Sequence, residues 1–119
     1  MSLETTIYTA LKNLVSNRVY RDIAPQTVDT LPRITFHQVG GDAINFVDST
    51  VPSKKNARIQ VNVWHSRRDD AMALARDVED ALRATTSLAP TVLGAAVAIY
   101  EEETRLYGAM QDFSFWYDD

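Results

Sequence analysis

Hydrophobic and polar residues alternate and then change period between Ala57 and Ala84. The first part alternates strictly, as in a β-strand with one buried face: Ile59, Val61 and Val63 fall on one side, and Arg58, Gln60, Asn62 and Trp64 on the other. The second part repeats apolar residues every three or four positions, as an amphipathic helix does: Ala71, Leu74, Ala75, Val78, Ala81 and Leu82. The segment therefore predicts a strand that turns directly into a helix packed on its apolar side.

The start of this helix is marked by Ser66, which is followed three residues later by Asp69. A serine hydroxyl at the N-cap accepts a free backbone N–H, and an acidic residue at the third position completes an imperfect capping box. Asp69 and Asp70 also place negative charge at the positive end of the helix dipole. We expect Ser66 to be the N-cap and the helix to end near Thr85.

The rest of the chain predicts one more helix and three more strands. Residues 2–15 carry an apolar stripe with Ser2 as the cap, and Asn17 supplies the stop. The strands are Arg33–Val39, Leu93–Glu103 and Leu106–Tyr117. Short connections favour antiparallel neighbours, and both helices must cover the same apolar face. We expect a single α+β domain over residues 1–119, a two-layer sandwich of an antiparallel four-stranded sheet (order α-β-β-α-β-β) and two helices.

Residues 40–56 have no clear periodicity and form a predicted long loop or hairpin arm. Gly40 and Gly41 end the preceding strand. Structureless connections of this length are uncommon in compact domains and are usually functional or mobile. The residues of this segment that we expect to contact a neighbouring protein are Gly40, Gly41, Asp42, Phe46, Lys54 and Lys55.

Composition narrows the class of protein. The chain has 119 residues, 45% hydrophobic and 24% charged, which is ordinary for one globular domain. A net charge of −4 argues against a dedicated nucleic-acid binder. With no cysteine in the sequence, disulfides, thiolate metal sites and cysteine nucleophiles are excluded. The N-terminus lacks the pattern of a signal peptide, and no apolar run is long enough to span a bilayer.

Chemistry-bearing residues form no convincing set in the sequence. His37 and His65 are on different predicted strands, and neither has a metal-ligand partner at a typical spacing, so we expect structural histidines. The acidic clusters of the second helix lie opposite its apolar stripe and are best explained as a solvated face. Gly40-Gly41-Asp42 is too short to cradle a phosphate. We expect no catalytic residue, no metal and no cofactor.

The sheet face away from the helices is the strongest remaining candidate for a functional surface. Aromatic residues and methionine are enriched in protein interfaces. The expected subunit interface on this face consists of Trp64, Tyr100, Met110 and Trp116. The alternative is that the long loop folds back and covers these residues.

Four stretches together resemble the tail terminator (tail completion) proteins of long-tailed bacteriophages and prophages. The two most specific are the strands RIQVNVW, from Arg58, and DFSFWY, from Asp112. These strands belong to the longer stretches ARIQVNVWHSRRDDAMALARDVEDAL, from Ala57, and YEEETRLYGAMQDFSFWY, from Tyr100. The other two stretches are IYTALKNLVSNRVYRDIAP, from Ile7, and LPRITFHQVGG, from Leu31. The resemblance covers nearly the whole chain, and the matching residues are structural.

This resemblance implies a role in virion assembly without catalysis. Proteins of this family form a six-membered ring that caps the tail tube, stops its polymerisation and presents a surface for head attachment. The implied partners are further copies of the chain, the tail tube protein and a head completion or connector protein. DNA passes through the lumen without specific binding, and no membrane is involved. The implied location is the head–tail junction of the virion, after assembly in the host cytoplasm.

Two other functions remain open at this point. One is another head–tail connector or neck protein of similar fold. The other is a dimeric α+β regulatory module that binds a small molecule in a pocket between subunits. An enzyme is disfavoured because no convergent polar set is apparent.

Overall fold

The structure is a computed structural model that describes residues 2–25 and 30–118. Its main elements, in chain order, are helix α1 (Leu3–Leu11), strand β1 (Val19–Arg21), strand β2 (Arg33–Gly40), strand β3 (Lys54–His65), helix α2 (Arg68–Arg83), strand β4 (Thr91–Val92), strand β5 (Val97–Glu101) and strand β6 (Leu106–Asp118). Single 3₁₀ turns follow the two helices, at Lys12–Leu14 and Thr86–Leu88.

The sheet is mixed, with the order β1-β2-β3-β6-β4, and β5 also pairs with β6. β1 is parallel to β2, and the other pairs are antiparallel. The predicted α+β class with two helices is confirmed, but the prediction of four antiparallel strands is wrong in detail. β1 and β4 were missed because two or three residues are too few to show alternation.

Two strand boundaries also differ from the prediction. β3 begins at Lys54, three residues early, because Lys54, Lys55 and Asn56 continue the ladder with Asp118, Tyr117 and Trp116. The expected loop of residues 40–56 therefore shortens to residues 41–53, which we call the arm. Its base consists of the strand ends that carry it, Gly40 on β2 and residues 54–56 on β3. β5 covers only five residues of the predicted strand Leu93–Glu103, since the chain bends between β4 and β5.

The N-termini of the two helices differ in their capping. Ser2 caps α1 as expected, because its Oγ accepts a hydrogen bond from the backbone N–H of Thr5 at 3.1 Å. The expected cap of α2 is wrong: Arg67 is the N-cap residue and makes no side-chain cap bond. Ser66 lies one residue too early, and its backbone N–H instead donates to Nδ1 of His65 at 2.9 Å.

The hydrophobic core lies between the two helices and one face of the sheet, which we call the inner face. Ile59, Val61 and Val63 of β3 and Phe113 and Phe115 of β6 are almost fully buried there, as their alternation predicted. Helix α2 adds its apolar stripe, including Val78 and Leu82, and α1 adds Ile7 and Leu11. Burial of side chains of this size stabilises a fold by roughly 1.5–3 kcal/mol each.

The molecule is elongated, with principal extents of 52 × 26 × 25 Å. β3 and β6, the two longest strands, run side by side along their full ladder. Among the described residues, no helix has the length and apolar character needed to cross a membrane.

Candidate functional site

The face of the sheet away from the helices, here called the outer face, is defined by strand register. Directly opposed residues of antiparallel strands share a face. Trp64 is opposite Arg33 on one side and Gly108 on the other, and Asn62 is likewise opposite Thr35 and Met110. The remaining outer-face positions on β3 and β6 are Lys54, Asn56, Arg58, Gln60, Leu106, Asp112, Ser114, Trp116 and Asp118.

Trp64 packs directly on Gly108. A Cβ atom added at Gly108 would lie 2.8 Å from Cε3 of the Trp64 indole and 2.6 Å from the carbonyl oxygen of Val63. Only glycine therefore lets the indole lie flat on the neighbouring strand. Trp64 is half-buried as a result, so part of this aromatic ring remains available on the outer face.

Trp64 also forms part of the floor of a groove of about 730 Å³ at this end of the outer face. One wall consists of residues 22–25 and the other of Glu101, Thr104 and Leu106. Thr35 and Asn62 complete the polar part of the floor. The groove is open and mixed in polarity, which suits a protein contact better than an enclosed small-molecule site.

Paired polar side chains cover the middle and far end of the outer face. Arg58 contacts Asp112 across the two strands, with its Nη2 2.7 Å and its Nε 2.9 Å from Oδ2 of the carboxylate. Asn56 donates through Nδ2 to Oγ of Ser114 at 2.8 Å and to the carbonyl of Phe115 at 3.1 Å. These cross-strand bonds hold the outer face rigid between its apolar residues.

Three of the four predicted interface residues share the outer face. Met110 lies on the strand next to Trp64 and two positions along, so these two side chains are diagonal neighbours. Trp116 is opposite Asn56, which lies eight residues before Trp64 on β3. At the rise of a β-strand, the two tryptophan positions are therefore about 26 Å apart along the sheet. The two tryptophans therefore mark opposite ends of one surface.

Tyr100 is on the other face, which corrects the expectation that it lies beside the tryptophans. It pairs with Tyr107, which pairs with His65, and these positions alternate with the outer-face residues Ile99, Gly108 and Trp64. Its ring centroid is 4.9 Å from that of Tyr107. The alternation of side-chain faces along Leu93–Glu103 does not continue through the bend before β5. The sequence pattern therefore predicted the wrong face for Tyr100.

The base of the arm is fixed by two glycines and one asparagine. Gly40 and Gly41 have φ angles of +143° and +149°, in the region where L side chains are strained. A Cβ at Gly41 would also collide with the backbone of Asn56. Oδ1 of Asn56 accepts a hydrogen bond from the backbone N–H of Asp42 at 2.8 Å. Asn56 thus links the arm to β6, a role that its position in an apparent loop did not reveal.

The tip of the arm is an ordered turn with exposed apolar side chains. Oδ1 of Asp48 accepts hydrogen bonds from the backbone N–H and the hydroxyl of Thr50 at 3.1 and 2.8 Å, and these bonds lower the pKa of the Asp48 carboxyl. Around this turn Val47 is fully exposed, and Phe46 and Val51 are more than half exposed. Such residues on an ordered projection are typical of a contact surface.

The two lysines at the base of the arm differ in their surroundings. Nζ of Lys54 lies 3.1 Å from Oδ1 of Asp118, and both side chains are largely exposed. Exposed pairs of this type contribute little to stability. Lys55 is half-buried opposite Tyr117. The base of the arm therefore carries an ion pair together with Lys55 and the adjacent Asp42, whereas its tip is apolar.

No cluster of histidine, cysteine and acidic side chains suited to a metal ion occurs among the described residues. His37 is on the outer face opposite Gln60, whereas His65 is on the opposite face and bonds to Ser66. The acidic residues Asp69, Asp70, Asp77 and Asp80 of α2 are exposed, as predicted.

Glu79 is the exception on that helix, and with Gln111 it forms a partly buried contact that sequence reasoning missed. Nε2 of Gln111 donates to Oε1 of Glu79 at 2.7 Å and to the carbonyl oxygen of Gly94 at 2.8 Å. The Gln111 bond, followed by that from Arg83, lowers the pKa of the Glu79 carboxyl. This contact ties the bend before β5 to α2 and to the centre of the sheet.

The α+β fold of this chain occurs in a virion. One chain of the structure titled "Virion of native gene transfer agent (GTA) particle" superposes with a TM-score of 0.65 at 18% sequence identity, over 99% of this chain and 96% of that chain. At this identity the likeness establishes a shared fold. A comparison with curated proteins gave no significant match.

The sequence shows the family to which the chain belongs. Residues 7–118 match the model of the family described as "Tail completion protein gp17". Because the match spans nearly the whole chain, the protein belongs to this family and is a structural protein of the bacteriophage tail. The resemblance inferred from the strand motifs is confirmed at this level.

Proposed function

We propose that this protein is a subunit of the six-membered ring implied by its family resemblance, and that this ring caps the finished tail tube. The ring stops further polymerisation of the tube and presents the surface to which the head attaches. In this proposal the protein acts at the head–tail junction, after assembly in the host cytoplasm.

The observation that carries the proposal is the presence of two unlike exposed surfaces at separate places on one rigid subunit. A closed ring requires a heterologous contact, in which two different patches meet head to tail. The outer face offers Trp64, Met110 and Trp116 among polar pairs, and the arm offers Phe46 and its neighbours. The outer face and the arm are suited to contact different partners at the same time.

We assign the subunit contact to Trp64, Met110 and Trp116 on the outer face, together with Tyr100 at the sheet edge. The arm and its base contact the tail tube or the neighbouring subunit through Gly40, Gly41, Asp42, Phe46, Lys54 and Lys55. Its base is rigid because of Asn56, so the arm projects in a defined direction.

The remaining partners are the tail tube protein below the ring and a head completion or connector protein above it. DNA crosses the lumen without specific binding. The net charge of −4 supports this, since a lumen rich in lysine and arginine would retain phosphate groups.

Electron microscopy of tails assembled with and without this protein tests the proposal. We expect overlong tails of variable length when the protein is absent, and tails of uniform length with added density at one end when it is restored. Normal tail lengths in its absence would contradict the capping role.

Co-purification separates the cap from another connector component. A cap binds the end of isolated tail tubes in the absence of heads, because the tube end is its template. Binding to the head portal alone, with no binding to tubes, would instead identify a neck protein.

A further inference from the structure

Strand β5 leaves one edge of the sheet unpaired. On one side it pairs with β6 along all five of its residues. On its other side, no strand of the described part of the chain follows. Val97 and Tyr100 are 52% and 51% exposed. Edge strands are usually blunted by charge or proline, and residues 97–100 contain neither, so this edge is a template for a further strand.

The arm contains a segment suited to such an edge. Residues 43–47, Ala-Ile-Asn-Phe-Val, are rich in residues that favour strands, and they equal β5 in length. They belong to no strand of the sheet. Ile44 and Phe46 alternate with Asn45 and Val47, so a strand formed here would present an apolar residue on each face.

We propose that residues 43–47 of one copy pair with β5 of the next copy and add a strand to its sheet. Backbone hydrogen bonds supply affinity, and the side chains of Ile44 and Phe46 set the register. The inference rests on the proposed ring, because its partner is a second copy of this chain. It adds a contact of the arm to the outer-face contact assigned above.

Lys55 favours an antiparallel arrangement. Glu101 ends β5 and is followed by Glu102 and Glu103. At the base of the arm Lys54 is already paired with Asp118, whereas Lys55 lies close to residue 43, because Asp42 is bonded to Asn56, and it offsets the charge of Asp42 there. Placing residue 43 opposite residue 101 brings Lys55 toward the acidic turn. The parallel arrangement separates Lys55 from this turn.

Residues 43–47 can pair with β5 of a second copy but are too far from β5 of the same subunit. Val97 is the residue of β5 nearest the arm, and it lies at the level of Asn62, eight residues along β3 from Lys54. At the rise of a β-strand, the distance from Lys54 to Asn62 is about 26 Å. A chain of half the length of the arm can extend over only about 20 Å, so the tip of the arm cannot reach β5 of its own subunit. Contact between arm and edge therefore joins different surfaces of two copies, as a closed ring needs.

Cysteine cross-linking tests this contact, since the natural chain has no cysteine. Antiparallel pairing with residue 43 opposite residue 101 places residue 45 opposite residue 99. The variant with Asn45→Cys and Ile99→Cys then brings the two thiols within the Cα separation that a disulfide allows. The matched control combines Asn45→Cys with Asp80→Cys, which lies exposed on α2. Melting curves confirm that each variant is folded.

Both variants are oxidised after assembly on isolated tails, where microscopy shows whether the cap has formed. We expect roughly tenfold or more intermolecular disulfide in the paired variant than in the control, because pairing raises the effective thiol concentration far above its bulk value. Repeating the test with Val97→Cys or Glu101→Cys in place of Ile99→Cys covers a shift of register by two residues.

The outcomes distinguish this contact from the ring itself. Excess cross-linking at any of the three registers supports the inference. A cap that forms normally, with no excess at any register, overturns the inference and leaves the proposed function standing. Failure of the unmodified protein to bind tail ends overturns both.

Discussion

Trp64 and Gly108 show how one side chain constrains another across the sheet. The tryptophan was predicted on the outer face from alternation alone, and it is there. The requirement for glycine opposite it arises only when β3 and β6 are paired in their observed register. The side chain of Trp64 thus restricts the residue 44 positions later in the sequence to glycine, although nothing in the sequence near Gly108 indicates this.

We expect Gly108→Ala to lower the free energy of unfolding by about 1–3 kcal/mol, since the added methyl group must displace the Val63 backbone or the Trp64 ring. Chemical denaturation of the purified subunit measures this. Gly94→Ala is the matched control, because no atom lies within 4 Å of its added Cβ and its stability should change little. Equal stability of the two variants would contradict the packing described here.

The Glu79–Gln111 contact predicts how stability depends on pH. The carboxyl pKa of Glu79 is lowered from its ordinary value of 4.5, so the folded state binds its proton less readily than the unfolded state. The contact therefore contributes stability above that value, and the contribution is lost as the pH falls through the lowered pKa.

We expect Glu79→Gln to lower the free energy of unfolding by about 1 kcal/mol at neutral pH, with a smaller difference from the unmodified chain below about pH 4. Denaturation curves between neutral and acidic pH test this. Asp80→Asn, exposed on the same helix, is the control and should not reproduce the effect. A difference that is constant with pH would show that the charge of Glu79 is not responsible.

At the level of elements, the long strands and helices are determined locally and the short strands are not. β3, β6 and α2 each carry many residues of one clear period. β1 and β4 have three and two residues, and they are strands only because β2 and β6 offer them free edges. The arm is similar: its ends are fixed by Asn56 bonding across to Ser114, a contact between residues distant in sequence.

We expect shortening of the arm to separate folding from assembly. Replacing residues 43–51 with a four-residue Gly-Ser linker should change the melting temperature by only a few degrees, because the arm residues are mostly exposed and loop length has a small effect on stability. The same variant should fail to cap tails, which microscopy of tail length measures. A shortened variant that caps normally would exclude the arm from the contact.

At the scale of the whole molecule, an elongated body carries the outer face, the arm and the β5 edge as separate surfaces. The family is established by the match over residues 7–118. No single local site explains such a protein, since its role depends on how several surfaces are oriented on one rigid sheet. The two tryptophans, at opposite ends of the outer face, report on this surface directly.

We expect assembly to protect these tryptophans. Iodide quenching of the fluorescence of Trp64→Phe and Trp116→Phe, each with one remaining tryptophan, should fall several-fold when the subunits join the tail end, because both rings are half-buried in the free subunit and covered in the ring. Unchanged quenching of both variants on assembly would remove the outer face from the subunit contact.

The sequence by itself determined the α+β class, the two helices, the inward faces of β3 and β6, and the resemblance to the tail completion family. The fold class, the helices and the inward faces follow from the hydrophobic period, which acts within a few residues, and the resemblance rests on the four matching stretches. The tertiary structure decided the parallel strand β1, the length of the arm, the face of Tyr100, and the contacts of Asn56 and Gln111. Each depends on which strands are neighbours and in what register, and a shift of one residue reverses the face of every side chain.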